Sequence, residues 1–270
     1  MMIVSRRLRR DQRGFTLMLV LWLIVVLGTI SATVVLGTRE ASAASGSARA
    51  RLVGRYAAES GIAATTADIE ASLATRSDTA DRQDYLNQLE TTVGRRGETA
   101  LGDATFDVTI VDISARVDVG NADVDALTRL FSMFDPAAAR STAVAIRQYI
   151  DRGEVTASTG SQSVSGGSTL MAALQLRSLD EVEQIPGVSL GLVRAAAPYL
   201  TVDGDGNINR RTASDTVMVA ASGSVQDEPS RVLVISRGWL RGHSLTHEIQ
   251  AVYAIAGNRL TLVRWRERDL

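Results

Sequence analysis

The residues of this chain able to do chemistry fall in two places. The first is Asp203-Gly204-Asp205-Gly206-Asn207-Ile208-Asn209, where oxygen-bearing side chains alternate as they do in calcium loops. Aligning Gly206 with the invariant glycine of an EF-hand puts Thr201 at position one and Thr212 at position twelve, so the bidentate carboxylate is missing. Asp203, Asp205 and Asn207 are therefore candidate calcium ligands, and a Gly-Asp turn is the simpler account of the same residues. The second place holds His243, His247 and Glu248. Zinc hydrolases use H-E-x-x-H on a helix, where both imidazoles share a face. Here the order is H-x-x-x-H-E in strand-like sequence, and the chain has only 2 histidines, which points away from catalytic zinc. No cysteine is present, which removes disulfides and thiolate metal sites. All 29 basic residues are arginine, which removes Schiff-base lysines and Ser-Lys dyads. No glycine-rich phosphate loop or nucleophile elbow appears. The inventory reads as a non-enzymatic protein.

A different kind of signal lies at the N-terminus. Arg6, Arg7, Arg9, Arg10 and Arg13 precede Gly14-Phe15-Thr16-Leu17, and an uncharged run of 24 residues then extends from Phe15 to Thr38. At 1.5 Å per residue that run makes ~36 Å of helix, enough to span a bilayer. The basic flank holds the N-terminal side in the cytoplasm. An ordinary secretory signal has a shorter apolar core followed by a small-residue cleavage site. Ala41-Ser42-Ala43 offers such a site, so a cleaved signal is one alternative and an uncleaved signal anchor another.

Downstream elements follow from periodicity. Leu52, Tyr56, Ile62 and Ile69 predict that the helix continues to about Thr75 with one apolar face, weakened at Gly54 and Gly61. Tyr85, Leu86 and Leu89 predict a short helix, with Gly94 and Gly97 as punctuation. Phe106, Val108 and Ile110 alternate as in a half-buried strand. Helices are expected from near Asn121, around Val144, Ile146, Tyr149 and Ile150 up to Asp151 and Gly153, with Pro136 ending one element or starting the next, and on either side of Pro186-Gly187, where Ser178 and Glu181 have capping-box spacing. Thr156 to Thr169 reads as a Ser/Gly loop. Strand-like sequence returns at Thr216, with Val217 and Val219 alternating, then Arg231–Trp239, then a hairpin turning at Ala256-Gly257-Asn258. Strands on both sides of a helical block mean an α+β fold with a helical insertion.

These segments together resemble the K-type minor pseudopilins of type II secretion, within the type IV pilin-like superfamily. Gly14-Phe15-Thr16-Leu17 is similar to the prepilin junction. Asp112–Val119, Ala145–Asp151, Ser178–Val188, Tyr199–Thr201 with Asn207–Asn209 and Thr212–Ser214, and Trp265 follow the family's order along the chain. The resemblance implies that prepilin peptidase cuts after Gly14 and methylates Phe15. It implies a pilin-like fold, with a long N-terminal helix packed on an antiparallel sheet and a large inserted all-α subdomain containing a helix-hairpin-helix-like unit. Residues 1–14 would be the leader, 15–38 the membrane and filament-core helix, and 39–116 its amphipathic continuation with the first strand. Residues 117–212 would be the helical insertion and 213–270 the C-terminal sheet.

Most pilins carry glutamate at the fifth mature position, which here is Leu19. Its absence is typical of the K type, which initiates or caps the pseudopilus tip and supports export of folded proteins across the outer membrane. Expected partners are minor pseudopilins of the I and J types, the major pseudopilin and prepilin peptidase. The expected location is the inner membrane, single-pass, with the C-terminal domain in the periplasm. Some members bind calcium, which makes it the one candidate cofactor. The Ser/Gly stretch replaces an acidic, tyrosine-containing segment that is usual in the family. The unit at 178–197 also resembles DNA-binding helix-hairpin-helix motifs, so a DNA-uptake pilin is a rival, as is a membrane-anchored periplasmic enzyme. Phosphate binding needs concentrated positive charge, whereas Asp180, Glu181 and Glu183 face Arg177 and Arg194. Without residues 1–14 the chain carries 24 basic and 29 acidic residues, and nucleic acid is not an expected partner.

Overall fold

Helix α1 runs without interruption from Asp11 to Thr75. The computed structural model describes residues 11–93, 95–160, 176–221 and 223–270. Residues 1–10 of the expected leader and residues 161–169 of the expected Ser/Gly loop lie outside them. The chain divides into two units, residues 1–52 and 53–270, and α1 contributes to both.

In the first unit, the large apolar side chains from Phe15 to Val35 that can be described are almost all exposed. This stretch is long and apolar enough to cross a membrane, which makes it a candidate anchor. Its hydroxyls look after themselves. Thr29, Ser31, Thr33 and Thr38 each donate to a carbonyl three or four residues earlier, at 2.8–2.9 Å. In hydrocarbon, polar groups must be satisfied within the helix, and these are.

The second unit is built around a five-stranded antiparallel sheet in the order β1-β2-β7-β8-β9. Its strands are β1 (Arg95–Leu101), β2 (Ala104–Asp112), β7 (Arg231–Leu240), β8 (Thr246–Ala256) and β9 (Arg259–Asp269). β2 and β7 pair without a register shift from Ala104↔Leu240 to Asp112↔Val232. β8 and β9 form the expected hairpin, with Gly257 at φ +60° in its turn. Alternate residues Phe106, Val108 and Ile110 on β2, Val232 and Val234 on β7, and Ile249 and Ala251 on β8 face one core. The second part of α1 and the short helix α2 (Thr79–Asn87) cover that face, contributing Ala57, Ala58, Ile62, Ile69, Leu73 and Leu86. The long N-terminal helix thus packs on an antiparallel sheet, as expected.

Between β2 and β7 the chain builds a helical head with its own core. Its elements are β3 (Val117–Asp118), α3 (Val124–Ser132), α4 (Pro136–Gly160), α5 (Leu179–Glu183), α6 (Leu190–Ala196), β4 (Leu200–Thr201), β5 (Ile208–Asn209), α7 (Asp215–Ala220) and β6 (Val225–Gln226). β3 pairs with β4 and β5 with β6, both parallel. Phe131, Leu130, Ile146, Val182, Leu192 and Leu200 are fully or nearly fully buried at its centre.

Several expectations are corrected. Of the spaced apolar positions on α1, Ile62 and Ile69 lie on the buried face, whereas Leu52 and Tyr56 do not, being 57% and 63% exposed; Ala57, Ala58 and Leu73 complete the stripe. Where Gly97 predicts punctuation, Arg95–Leu101 instead form a strand, β1, paired to β2 through an irregular register. Residues Thr216–Val219 form α7, not a strand. Ser214 caps it, and Val217 and Ala220, three apart, enter the head core, so the helical block continues past residue 212. Helix α4 passes Gly153 and runs to Gly160. Ser178 makes no side-chain cap; Glu181 instead accepts the amide of Arg177 at 2.6 Å.

Candidate functional site

The first candidate site is the head of α1. Gly14 and Phe15 lie inside the helix, and Phe15 and Leu19, one turn apart, are both exposed. No charged residue occurs from Phe15 to Thr38, so the helix carries no carboxylate along this stretch.

The second is the junction where the head meets the sheet, which gathers three buried aspartates, Asp112, Asp118 and Asp203. Asp112 ends β2. Its Oδ2 accepts from Asn209 Nδ2 at 2.8 Å and Thr212 Oγ1 at 2.6 Å, and its Oδ1 accepts from Ser114 N at 2.8 Å. Asn209 also donates to Asn87 Oδ1 at 2.8 Å, tying α2 to the same cluster. Burial pushes the Asp112 carboxyl above its ordinary range, against the pull of those donors. Asp118, on β3, accepts from Gly120 N at 3.0 Å and from Asn121 Nδ2, and burial likewise raises it.

The expected calcium ligands sit beside this cluster. Asp203 is 9% exposed, and its carboxylate receives Arg264 Nη1 at 2.8 Å, Arg266 Nη2 at 2.7 Å and Arg266 Nη1 at 2.9 Å. Asp205 Oδ1 accepts from Asn207 N and Ser230 Oγ, both at 3.0 Å. These residues do not fit a calcium site: both Asp203 carboxylate oxygens are held by guanidinium groups, and Asp205 Oδ1 already accepts from two protein donors. Among the described residues, no three His, Asp or Glu side chains converge to hold a metal ion.

His247 and Glu248 are neighbours in β8 and so point to opposite faces of the sheet. His247 meets Asp269 through Nδ1 at 2.7 Å and Glu267 through Nε2 at 3.3 Å. Glu248, fully buried, accepts from Arg237 Nε at 2.7 Å, Arg268 Nε at 2.8 Å and Gln250 Nε2 at 2.8 Å. Burial alone would raise its carboxyl, but the donors from Arg237, Gln250 and Arg268 together hold it below the ordinary range. His243 is exposed in the turn before β8. The three residues share no common centre.

A cleft of about 380 Å³ lies between the far face of the sheet and the head. Its lining includes Val111, Leu233, Leu179, Leu200, Arg116 and Gln250, with no histidine. In the α5–α6 unit, Pro186-Gly187 turns with Gly187 at φ +88°, while Arg194 is held bidentate by Glu183 at 3.0–3.3 Å. That arginine is committed within the protein.

The arginine partners were not anticipated from sequence. One signal was available: Arg264, Arg266 and Arg268 alternate on β9 and so share a face. A cationic strand face lying over a fold implies buried carboxylates opposite, here Asp203 and Glu248.

No protein-family model matches the sequence, and no curated protein matches it. Among solved structures, the chain is similar to a chain of the GspK-GspI-GspJ complex from the enterotoxigenic Escherichia coli type 2 secretion system, at 12% identity. The match covers 80% of this chain and 99% of that chain, with a TM-score of 0.46. The chain itself has an α+β fold, with a long N-terminal helix, an antiparallel sheet and an inserted helical head.

Proposed function

We propose that this chain is a minor pseudopilin of the K type, a structural subunit that initiates or caps the tip of a type II secretion pseudopilus. The observation that carries this reading is the Gly14-Phe15 junction. It follows five arginines and opens an apolar stretch within one continuous helix, and that helix then packs on an antiparallel sheet. Prepilin peptidase would cut after Gly14 and methylate Phe15. The apolar stretch would hold the subunit in the inner membrane, with the sheet and head in the periplasm, and later pass into the filament core. Its exposed apolar side chains and self-satisfied hydroxyls suit lipid first and neighbouring helices afterwards. Partners would be minor pseudopilins of the I and J types and, below them, the major pseudopilin. Leu19 leaves the subunit without the carboxylate that docks on a neighbour's terminal ammonium, which suits the first position in a filament.

The test is N-terminal mass analysis of the mature protein from a cell that contains the peptidase. A methylated Phe15 terminus is expected. An intact Met1, or a start at Ala44, would overturn the reading.

A further inference from the structure

The loop Asp203–Asn209 has the alternating oxygens of a cation loop, and the structure shows a positive charge already seated against it. That charge is Arg231, the first residue of β7. Its amide donates to Ser114 Oγ at 3.1 Å, which fixes where the side chain starts. Its Nη1 donates to two successive backbone carbonyls, Asp203 O at 2.8 Å and Gly204 O at 2.5 Å. Its Nε is buried and lies 3.9 Å from Asp205 Oδ2. The Asp118 carboxylate feels the same guanidinium. The loop can close this tightly because residue 204 is glycine: a Cβ there would lie 2.6 Å from Asp118 Cβ.

We infer that Arg231 takes the place a divalent cation occupies in loops of this composition, so that the sheet–head junction is held by a built-in guanidinium and needs no metal. Two carbonyls and two carboxylates around one positive charge are the surroundings of a bound calcium ion. Calcium, however, requires six to eight oxygens at about 2.3–2.6 Å. Here the carbonyl pair is given to Arg231, and the Asp203 carboxylate to Arg264 and Arg266. Three guanidinium groups around one loop also repel an incoming dication. An arginine stays charged at any physiological pH, so the junction stays closed with or without divalent ions. This inference is independent of the function proposed above.

The test uses the full chain in detergent. Calorimetric titration with calcium chloride is expected to show no saturable binding, and the melting temperature is expected to be the same in millimolar calcium and millimolar chelator. Saturable binding accompanied by a rise in melting temperature would overturn the inference. Arg231→Met, which keeps most of the aliphatic stem, is expected to melt several degrees lower, with Arg231→Lys between the two. Wild-type-like melting of Arg231→Met would also overturn it. Where Arg231→Met does not fold, the wild-type titration alone decides.

Discussion

Glu248 and Asp112 are both buried carboxylates, yet they answer to pH in opposite directions. Glu248 is held by two arginines and a glutamine, and the net result is a carboxyl below its ordinary range. A depressed folded-state pKa contributes stability that is present above the unfolded value, about 4.3, and is lost as pH falls through the folded value. Asp112 has only neutral donors, Asn209, Thr212 and the Ser114 amide, and burial wins. A raised folded-state pKa contributes stability that is full below the unfolded value, about 3.9, and is lost as pH rises through the folded value. Urea unfolding of Glu248→Gln and Asp112→Asn, followed across the acid range, separates the two. Glu248→Gln should be less stable than wild type at neutral pH, with the gap closing on acidification. Wild type should gain on Asp112→Asn over the same descent. Parallel pH profiles for the two variants would show that the partner assignments are wrong.

At the scale of elements, the close fit of α1 to the sheet depends on glycines. Gly238 of β7 faces Gly54, Ala57 and Ala58 of the helix; a Cβ on it would lie 2.2 Å from Gly54 O and 2.4 Å from Ala58 N. Both are backbone atoms, so relief requires the helix to shift. A Cβ on Gly61 would meet Ser236 Oγ at 2.3 Å and Phe106 Cδ2 at 2.9 Å, both side-chain atoms. Gly238→Ala is therefore expected to cost more than Gly61→Ala, about 1–3 kcal/mol or above against a smaller loss. Ser236→Ala should be near neutral, because its buried hydroxyl has no hydrogen-bond partner among the described residues. Chemical unfolding of the three variants checks the order. A Gly238→Ala protein as stable as Ser236→Ala would mean the helix does not approach the strand as described. The elements that were legible in sequence bury a periodic apolar face, as β2, β7, β8 and helix α3 do, with Asp123 also capping α3; β9 was legible instead from the turn at Gly257 that pairs it with β8. β1 was not legible because Arg95–Leu101 joins the sheet through backbone pairing and has one large apolar residue, itself exposed. The α7 sequence suggests a strand because Val217 and Val219 alternate, while the residues it buries are Val217 and Ala220, three apart as on one face of a helix. The oxygen-rich loop at 203–209 was legible as a loop with chemistry. Its partners were not, since Arg231, Arg264 and Arg266 lie far along the chain and nothing local announces them.

For the whole molecule the proposed reading turns on Leu19, which in that reading links an isolated side chain to a place in an assembly. In the pilin reading, a glutamate at the fifth mature position docks on the terminal ammonium of the neighbouring subunit. A subunit at the tip has no neighbour ahead of it to supply that ammonium. A carboxylate introduced there would lie in an apolar helix without a partner, at a cost that reaches about 2.5–3.5 kcal/mol at the centre of a bilayer-spanning helix and is smaller at Leu19, near the end of the run. Leu19→Glu is therefore expected to give no gain in assembly. Pseudopili should be no more numerous than with wild type, and labelled variant should be found at one end or left in the membrane. Immunogold labelling of sheared pseudopili, with immunoblots of the membrane fraction, reads both quantities. Label spread along the shaft would mean that the chain can dock like a major subunit once given the carboxylate. The head between β2 and β7 would then be no barrier to stacking, and the tip assignment would fail even if Phe15 were found methylated. On the proposed reading, processing and position are thus separable: the first would belong to the Gly14-Phe15 junction, the second to Leu19 and the head together.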